Sequence, residues 1–587
     1  MENIYNRIRE INDTRTLSLR SKINSVISHF SKKERAFFLG LAIILIISTL
    51  LILQGINRHF MVNVPMYGGS LKEGIIGTPR FINPVLAFSD ADQDMVSLVY
   101  SGLMRKNPDG TLIPDLAEKY EISKDGLEYT FTLKDNIYFH DNTPVTADDV
   151  LFTINNVKDP IIKSPHRINW EGVTASKIDE KTIQFTLRQP FSSFLDHTTL
   201  GVMPLKLWSN SPIELNSINT NPIGSGPYMI DTVEKESSGL IKKYELKQFS
   251  KFSLGKPYIT DIIIRFYSNE EDIIKGIEGG EINQASSLTP GNAGALKEKG
   301  YTVEGAFLPR VFGLFFNQNV NQIFVDKTIV NAIDQGIDKE RIVREVLNGH
   351  GVIIDDPIPP GIIKSGVTDK NPGLARSAVI EKIEADLKKA GWQKNTEGFL
   401  EKSSTDKGKT TTTLLEFSIS TSNAPELVKT ALIIKENLGN LGIKVDIKTF
   451  EIGNLNQDVI RPRKYDALLF GQIINNESDL YAFWHSSQRK DPGFNVSMYT
   501  NAKVDNILET AFTTTNKEER LKKYLEFEKE IKKDMPAVFL YTPEFTYIIQ
   551  KGIHGLDMEY ITSPSNRFGK VHTWYIEKDN VWRIFAR

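Results

Sequence analysis

Cysteine is absent from the 587-residue chain. Its absence excludes disulfides, cysteine-ligated zinc, a thiol nucleophile and an N-terminal lipid-modified cysteine. An excess of either charge is also lacking, since 71 Lys and Arg stand against 73 Asp and Glu for a formal net charge of −2. No basic stripe interleaved with aromatics follows the N-terminus, so no nucleic-acid partner is expected. Histidine is scarce and forms no HExxH pattern. His485, between Trp484 and Ser486, has no second histidine at ligand spacing, so neither a metal site nor a cofactor is expected.

What is present is length and one long apolar run. A chain of this size with 40% hydrophobic and 25% charged residues can build two or three folded lobes. Residues 1–35 are polar and basic, with Arg7, Arg9, Arg15, Arg20, Lys22, Lys32, Lys33 and Arg35 outnumbering Glu2, Glu10, Asp13 and Glu34. Residues 36–57 then carry no charge and are rich in Leu and Ile. A run of that length can span a bilayer. It is longer than a signal-peptide core and lacks a small-x-small cleavage site, so it is expected to stay as an anchor. The basic flank leaves the N-terminus in the cytoplasm and the main domain outside, at the cell surface or in a periplasm. Residues 58–66 read as a linker.

The stretch 125–157, DGLEYTFTLKDNIYFHDNTPVTADDVLFTINNV, holds the clearest local pattern. Tyr129, Phe131 and Leu133 alternate with polar residues as in a half-buried strand, and Ile137 and Phe139 predict a second, short one. Asp141-Asn142-Thr143-Pro144 turns the chain. Thr146 is the expected N-cap of a helix with Asp148 and Asp149 in its first turn and Val150, Leu151, Ile154 and Val157 on one face. The two carboxylates suit the helix dipole and need no catalytic role. This stretch closely resembles the signature of the extracellular solute-binding family 5, the receptors of oligopeptide and dipeptide ABC importers. Asp125-Gly126, Tyr129-Thr130-Phe131, Phe139-His140-Asp141, Pro144, Thr146-Ala147 and Asp149-Val150 match it. Asn142 stands for the family's glycine, a residue that also tolerates a left-handed turn.

Further motifs follow in the family's order. They are Phe81-Ile82-Asn83-Pro84, Leu112 to Ala117, Phe191 to Phe194, Pro222 to Tyr228, Val330 with Ile337-Asp338, Leu387 with Ala390-Gly391-Trp392, and Asp534 with Pro536. Gly224-x-Gly226-Pro227-Tyr228 reads as a strained turn, and the strand that follows it argues against a phosphate loop. Lys402 to Thr413 reads as a loop. Leu415, Phe417 and Ile419, the amphipathic run 425–441, Gly442, and Ile443, Val445 and Ile447 form a βαβ unit on a parallel sheet.

The resemblance implies an α/β, two-lobed periplasmic-binding-protein-like fold of type II with an extra subdomain, preceded by one transmembrane helix. The expected divisions are a cytoplasmic segment 1–35, an anchor 36–57, a linker 58–66, a first lobe 67–310, a second lobe 311–540 and a return 541–587 to the first lobe. It implies a monomeric, non-catalytic receptor that captures oligopeptides between the lobes and hands them to ABC permease subunits. Nickel complexes, saccharides, opines or, in another class, a membrane-anchored hydrolase stay open as alternatives. By the resemblance, Gly471 pairs with the peptide backbone, Gln472 replaces a tryptophan beside it, and Ile473 continues the strand. Asn475 stands where an aspartate holds the peptide's amino group, and an amide cannot neutralise an ammonium, so Glu477 or Asp479 is the expected substitute. Arg310 and Tyr541 at the interlobe crossings and Asn83 in the early turn complete the candidates.

Overall fold

The computed structural model describes residues 31–107, 110–362, 375–406, 409–474, 476–558 and 561–585. Asn475 and the basic segment 1–30 lie outside the described residues. The chain divides into two compact units, one of residues 1–66 with 577–587 and one of residues 67–576.

The first unit is built on the helix Lys32–Phe60, none of whose residues is buried. Ser31 caps it, and the Glu34 carboxylate accepts the Ser31 N–H at 2.8 Å. The expected linker is ordered. The helix runs on to Phe60, and Met61–Pro65 is a strand paired antiparallel with Lys578–Trp582, from Met61↔Trp582 to Pro65↔Lys578. The last described strand therefore pairs with the segment that follows the helix.

The second unit holds both lobes. In the first lobe, Ser70–Ile76 lies between Asp261–Tyr267 and Gln284–Ser286, parallel to each, and Ile241–Gln248 and Tyr228–Lys235 extend the sheet antiparallel. A separate antiparallel sheet orders Ala117–Ile122, Glu128–Leu133, Thr182–Leu187 and Val173–Lys177. Its strand Glu128–Leu133 buries Tyr129, Phe131 and Leu133 on one face and turns Glu128, Thr130 and Thr132 outward, the period a one-sided sheet imposes. Ile137 and Phe139 are buried as expected, but the chain there forms only a Tyr138↔Pro144 bridge with Asn142 at φ 67°. The helix Ala147–Lys158 starts at Thr146, whose N–H and hydroxyl both donate to the Asp149 carboxylate at 2.9 and 2.8 Å. Asp148 pairs with Lys177 at 2.6 Å. Both carboxylates are thus accounted for structurally.

The Gly224–Gly226 turn departs from the reading of a strained conformation. Neither glycine has positive φ. What the turn demands is close approach, because a Cβ on Gly224 would stand 2.1 Å from the Val99 carbonyl oxygen. His140 ties this turn to the signature loop, its Nδ1 accepting the Gly224 N–H at 3.3 Å and its Nε2 lying 3.1 Å from the Gly226 carbonyl. Burial pushes the imidazole down to about 4, which keeps it neutral in that bridge.

The strand Ala537–Ile549 joins the lobes. Its first part pairs with Arg310–Phe316, and from Glu544 onward it pairs with Thr302–Phe307. The change falls at Thr542–Pro543, where a residue without an N–H suits the exchange of partners. In the second lobe Glu416–Ser422 and Lys444–Phe450 are parallel, joined by the helix Pro425–Leu441 and Gly442 at φ 92°. Arg310–Phe316 and Ala467–Ile473 lie beside them. Cores flank this sheet on both faces, with Leu314, Ile419, Ile434 and Leu469 on one and Val311, Phe315, Leu468 and Trp484 on the other. The Thr-rich stretch read as a loop is a hairpin, Leu400–Asp406 with Lys409–Leu414. β-Branched threonines suit its pleated surface.

Candidate functional site

A cavity of about 960 Å³ opens between the lobes. One wall is first-lobe surface, including Tyr100, Arg105, Lys106, Glu171, Arg188 and His197, and the facing wall is Asn476, Ser478, Asp479 and Phe512. Thr562, Ser563 and Asn566 of the C-terminal return close a further side.

Most of the charge in it is internally matched. Arg105 Nε lies 2.7 Å from Asp115, and Lys106 Nζ lies 3.0 Å from Asp196. Burial pushes His197 down to about 4 and lowers His166 as well, so both present neutral imidazoles. Arg188 and Glu171 are exposed on the lining and make no ion pair among the described residues. Arg188 and Glu171 thereby add an exposed cation and an exposed anion to the many neutral donors and acceptors of the lining. That pattern suits a zwitterionic ligand with varied side chains.

The strand Ala467–Ile473 supplies a second binding element. Asn317 N–H donates to Asp466 O and Ile474 N–H donates to Pro309 O, both at 2.8 Å. In an antiparallel ladder this phase aims Phe470 and Gln472 at Arg310–Phe316 and turns the N–H and C=O of Gly471 and Ile473 the other way. On that other side, pairing with Glu416–Ser422 ends at Ser420↔Leu468. From Phe470 onward the edge has no neighbouring strand among the described residues. It leads into the Asn476–Asp479 loop on the cavity wall.

The candidate residues separate on these facts. Gly471 and Ile473 sit on the free edge, and Ile473 is half exposed. Gly471 has a packing reason as well, since a Cβ there would come within 2.7 Å of the Phe312 ring. Gln472 is buried with its Oε1 unpartnered. Asp479 lines the cavity, its carboxylate accepting the Asn476 N–H at 3.3 Å. Glu477 instead pairs with Arg520 at 3.2 Å, and that guanidinium also donates to the Thr514 carbonyl. Arg310 is half-buried at the crossing, its guanidinium pKa lowered by burial against the opposing pull of Asp90. Tyr541 is packed inside the second lobe, stacked on Phe312 at 4.9 Å, and burial pushes its phenol up to about 12. Asn83 is fully buried, its Oδ1 accepting the Val85 N–H at 2.8 Å within its own turn. Tyr541 and Asn83 therefore hold the walls and do not line the cavity. His485 stacks under Tyr481 at 4.3 Å with Nδ1 2.8 Å from Ser487 Oγ, which is a packing role.

Sequence reasoning missed a contact between the two walls of the cavity. Phe191 stacks on Phe512 with centroids 5.0 Å apart, and Ser192 N–H donates to the Phe512 carbonyl at 3.2 Å. Phe191 carried a motif signal, but nothing in the sequence pairs it with a residue more than three hundred positions away.

Residues 111–493 match the family described as bacterial extracellular solute-binding proteins, family 5. The oligopeptide-binding protein AppA of Bacillus subtilis is 26% identical over 525 residues, covering 88% of this chain and 93% of its own. Its solved structure, in complex with a nonapeptide, aligns with a TM-score of 0.62 at 25% identity over 88% of this chain and all of its own. NikZ from Campylobacter jejuni, solved with Ni(L-His), aligns with a TM-score of 0.63 at 26% identity over 86% of this chain and 99% of its own. With two lobes, a cavity between them and a family match over most of its length, the chain belongs to the bacterial extracellular solute-binding proteins, family 5.

Proposed function

We propose that this protein is a membrane-anchored, non-catalytic receptor that captures oligopeptides in the interlobe cavity and delivers them to the permease of an ABC importer. The observation that carries this reading is the free strand edge at Gly471–Ile473 leading into a cavity walled by both lobes. A peptide laid along such an edge gains main-chain hydrogen bonds irrespective of its sequence, while its side chains enter the cavity. The binding of a nonapeptide by a relative of similar architecture supports it. Asp479, which lines the cavity, is the candidate partner for the peptide's amino group, and Arg188 for its carboxylate. Retention of the N-terminal helix is supported by its own contacts, since Trp582 Nε1–H donates to Asn57 Oδ1 at 2.7 Å and Arg583 N–H donates to Phe60 O at 2.9 Å. Cleaving the helix as a signal peptide would discard both acceptors. Native mass spectrometry of the full chain extracted in mild detergent tests the ligand. Mixed peptides of similar length are expected, and a single non-peptide species or a metal chelate would overturn the assignment.

The aromatic contact across the cavity makes a second test. Closing the lobes over a ligand is worth only the free-energy difference between closed and open states. A stacked aromatic pair contributes about 0.5–1.5 kcal/mol beyond its buried area. Phe512→Ala is therefore expected to weaken peptide binding about tenfold, the factor that corresponds to roughly 1.4 kcal/mol, and to raise the off-rate. Calorimetry with the co-purified peptides checks this. Unchanged affinity would mean that the contact is incidental to closure.

A further inference from the structure

The segment after Lys578–Asn580 leaves large apolar side chains exposed. Ile584 is 77% exposed, Phe585 72% and Trp582 41%. Exposed apolar residues scattered singly are ordinary, but a contiguous group is not. Trp582 of this group stacks on Phe60, which like Ile56 is exposed at the end of the apolar helix.

Its placement is fixed by several bonds. The antiparallel pairing Met61↔Trp582 to Pro65↔Lys578 sets the register. The Trp582 ring stacks on Phe60 with centroids 6.1 Å apart, and its Nε1–H is held by Asn57. The tail is thereby held against the last turn of the helix, where the apolar run gives way to Asn57, Arg58 and His59. From Ala36 to Ile56 the run is about 31 Å long at 1.5 Å per residue, close to the ~30 Å hydrocarbon core of a bilayer. Its end, and the tail with it, therefore falls at the layer where Trp and Tyr are enriched in membrane proteins. Arg58 in the last turn of the helix and Arg583, whose N–H donates to the Phe60 carbonyl, have stems able to lie along apolar surface and heads able to reach lipid phosphates.

We infer that Trp582–Phe585 is an interfacial membrane element, seated in the outer headgroup layer of the bilayer that the Lys32–Phe60 helix spans, so that the tail and the outer end of that helix meet at one membrane surface. This rests on the reading of that helix as a retained anchor. The tail gives the anchor a second point of attachment and limits rotation about the helix axis. The occupant of the apolar group is lipid. A second copy of this chain is the alternative that the test separates.

The absence of cysteine makes the test clean. Single variants Ile47→Cys in the middle of the helix, Phe585→Cys in the tail and Ile161→Cys on an 81%-exposed site of the lobes are labelled with a nitroxide. The full chain is then reconstituted in nanodiscs of phosphatidylcholine and phosphatidylglycerol. Power saturation reads the accessibility of each label to oxygen, which partitions into lipid, and to a water-soluble nickel chelate. The expected order of the oxygen-to-chelate ratio is Ile47 above Phe585 above Ile161, with Phe585 several-fold above the aqueous site. A Phe585 label as water-exposed as Ile161, with Ile47 in lipid, overturns the tail and leaves the anchor standing. An Ile47 label exposed to the chelate overturns both. A Phe585 label shielded from oxygen and chelate alike marks protein contact and overturns the lipid assignment in favour of a second copy.

Discussion

Replacing Arg567 by Met is expected to lower the free energy of unfolding by about 3–5 kcal/mol, the cost of leaving buried charge without its partner. Arg567 is fully buried, with Nη2 2.9 Å from Glu73 Oε1 and 2.7 Å from Asp94 Oδ2, and its guanidinium lies over the Phe568 ring at 4.1 Å. Tyr547 completes the cluster, its hydroxyl 2.7 Å from Glu73 and 2.8 Å from Gln284. The members come from the first strand of the first lobe, the helix Asp90–Val99, the crossing strand and the C-terminal return. The cluster therefore ties the end of the lobe-forming chain to its beginning. Burial already raises the pKa of both Glu73 and Asp94, and the attraction of Arg567 opposes that rise. Removing the cation lifts both further. A carboxyl whose folded pKa exceeds its unfolded one contributes stability below the unfolded value and loses it as pH climbs through the folded value. The deficit of the Met variant should accordingly shrink toward pH 5 and widen toward pH 8. Adding Glu73→Gln should recover part of it at the higher pH. Urea unfolding at the two pH values checks both statements. A deficit that does not change with pH would mean that the carboxylates do not depend on Arg567 for their charge.

How much of this was legible beforehand follows the range of each interaction. Short-range chemistry read well. The alternation Tyr129-Phe131-Leu133, the Thr146 start with its Asp149 carboxylate, the left-handed Asn142 and the βαβ unit closing at Gly442 are all set by residues within a few positions of each other. The apolar run showed the N-terminal helix, which extends past both expected ends, from Lys32 through Asn57 to Phe60, because a helix needs no apolar residue to continue. Long-range pairing did not read. Arg567 meets residues almost five hundred positions earlier, Glu477 is held by Arg520, and Lys578–Trp582 finds Met61–Pro65. None of these leaves a periodic trace. The site shows the same division. The strand at Gly471 was found by motif, whereas whether Tyr541 faced the cavity or the core depended on its stacking against Phe312, which a single sequence does not display.

Gly224→Ala is expected to cost about 3 kcal/mol or more and to impair ligand binding with it, because its obstacle is backbone. Overpacking that side chains can absorb costs about 1–3 kcal/mol. Here the added Cβ would sit 2.1 Å from the Val99 carbonyl oxygen, and that carbonyl accepts the Gly226 N–H at 2.8 Å, so it cannot swing aside without breaking the turn that approaches it. Gly224 also donates to His140 Nδ1 and accepts the His140 N–H at 2.8 Å. A shift of the turn would therefore disturb the signature loop as well. The consequence for function runs through Tyr100, which follows Val99 at the end of its helix and lines the cavity. Displacing Val99 moves a wall of the binding site. Gly239→Ala supplies the contrast, since that glycine has φ 87° and nothing within 4 Å of an added Cβ. Its cost is conformational strain alone, about 1–2 kcal/mol, with ligand affinity unchanged. Unfolding and calorimetry on both variants decide the matter. Equal losses in stability, or a Gly224 variant that keeps full affinity, would mean that the turn yields and that close approach is not what the two glycines serve.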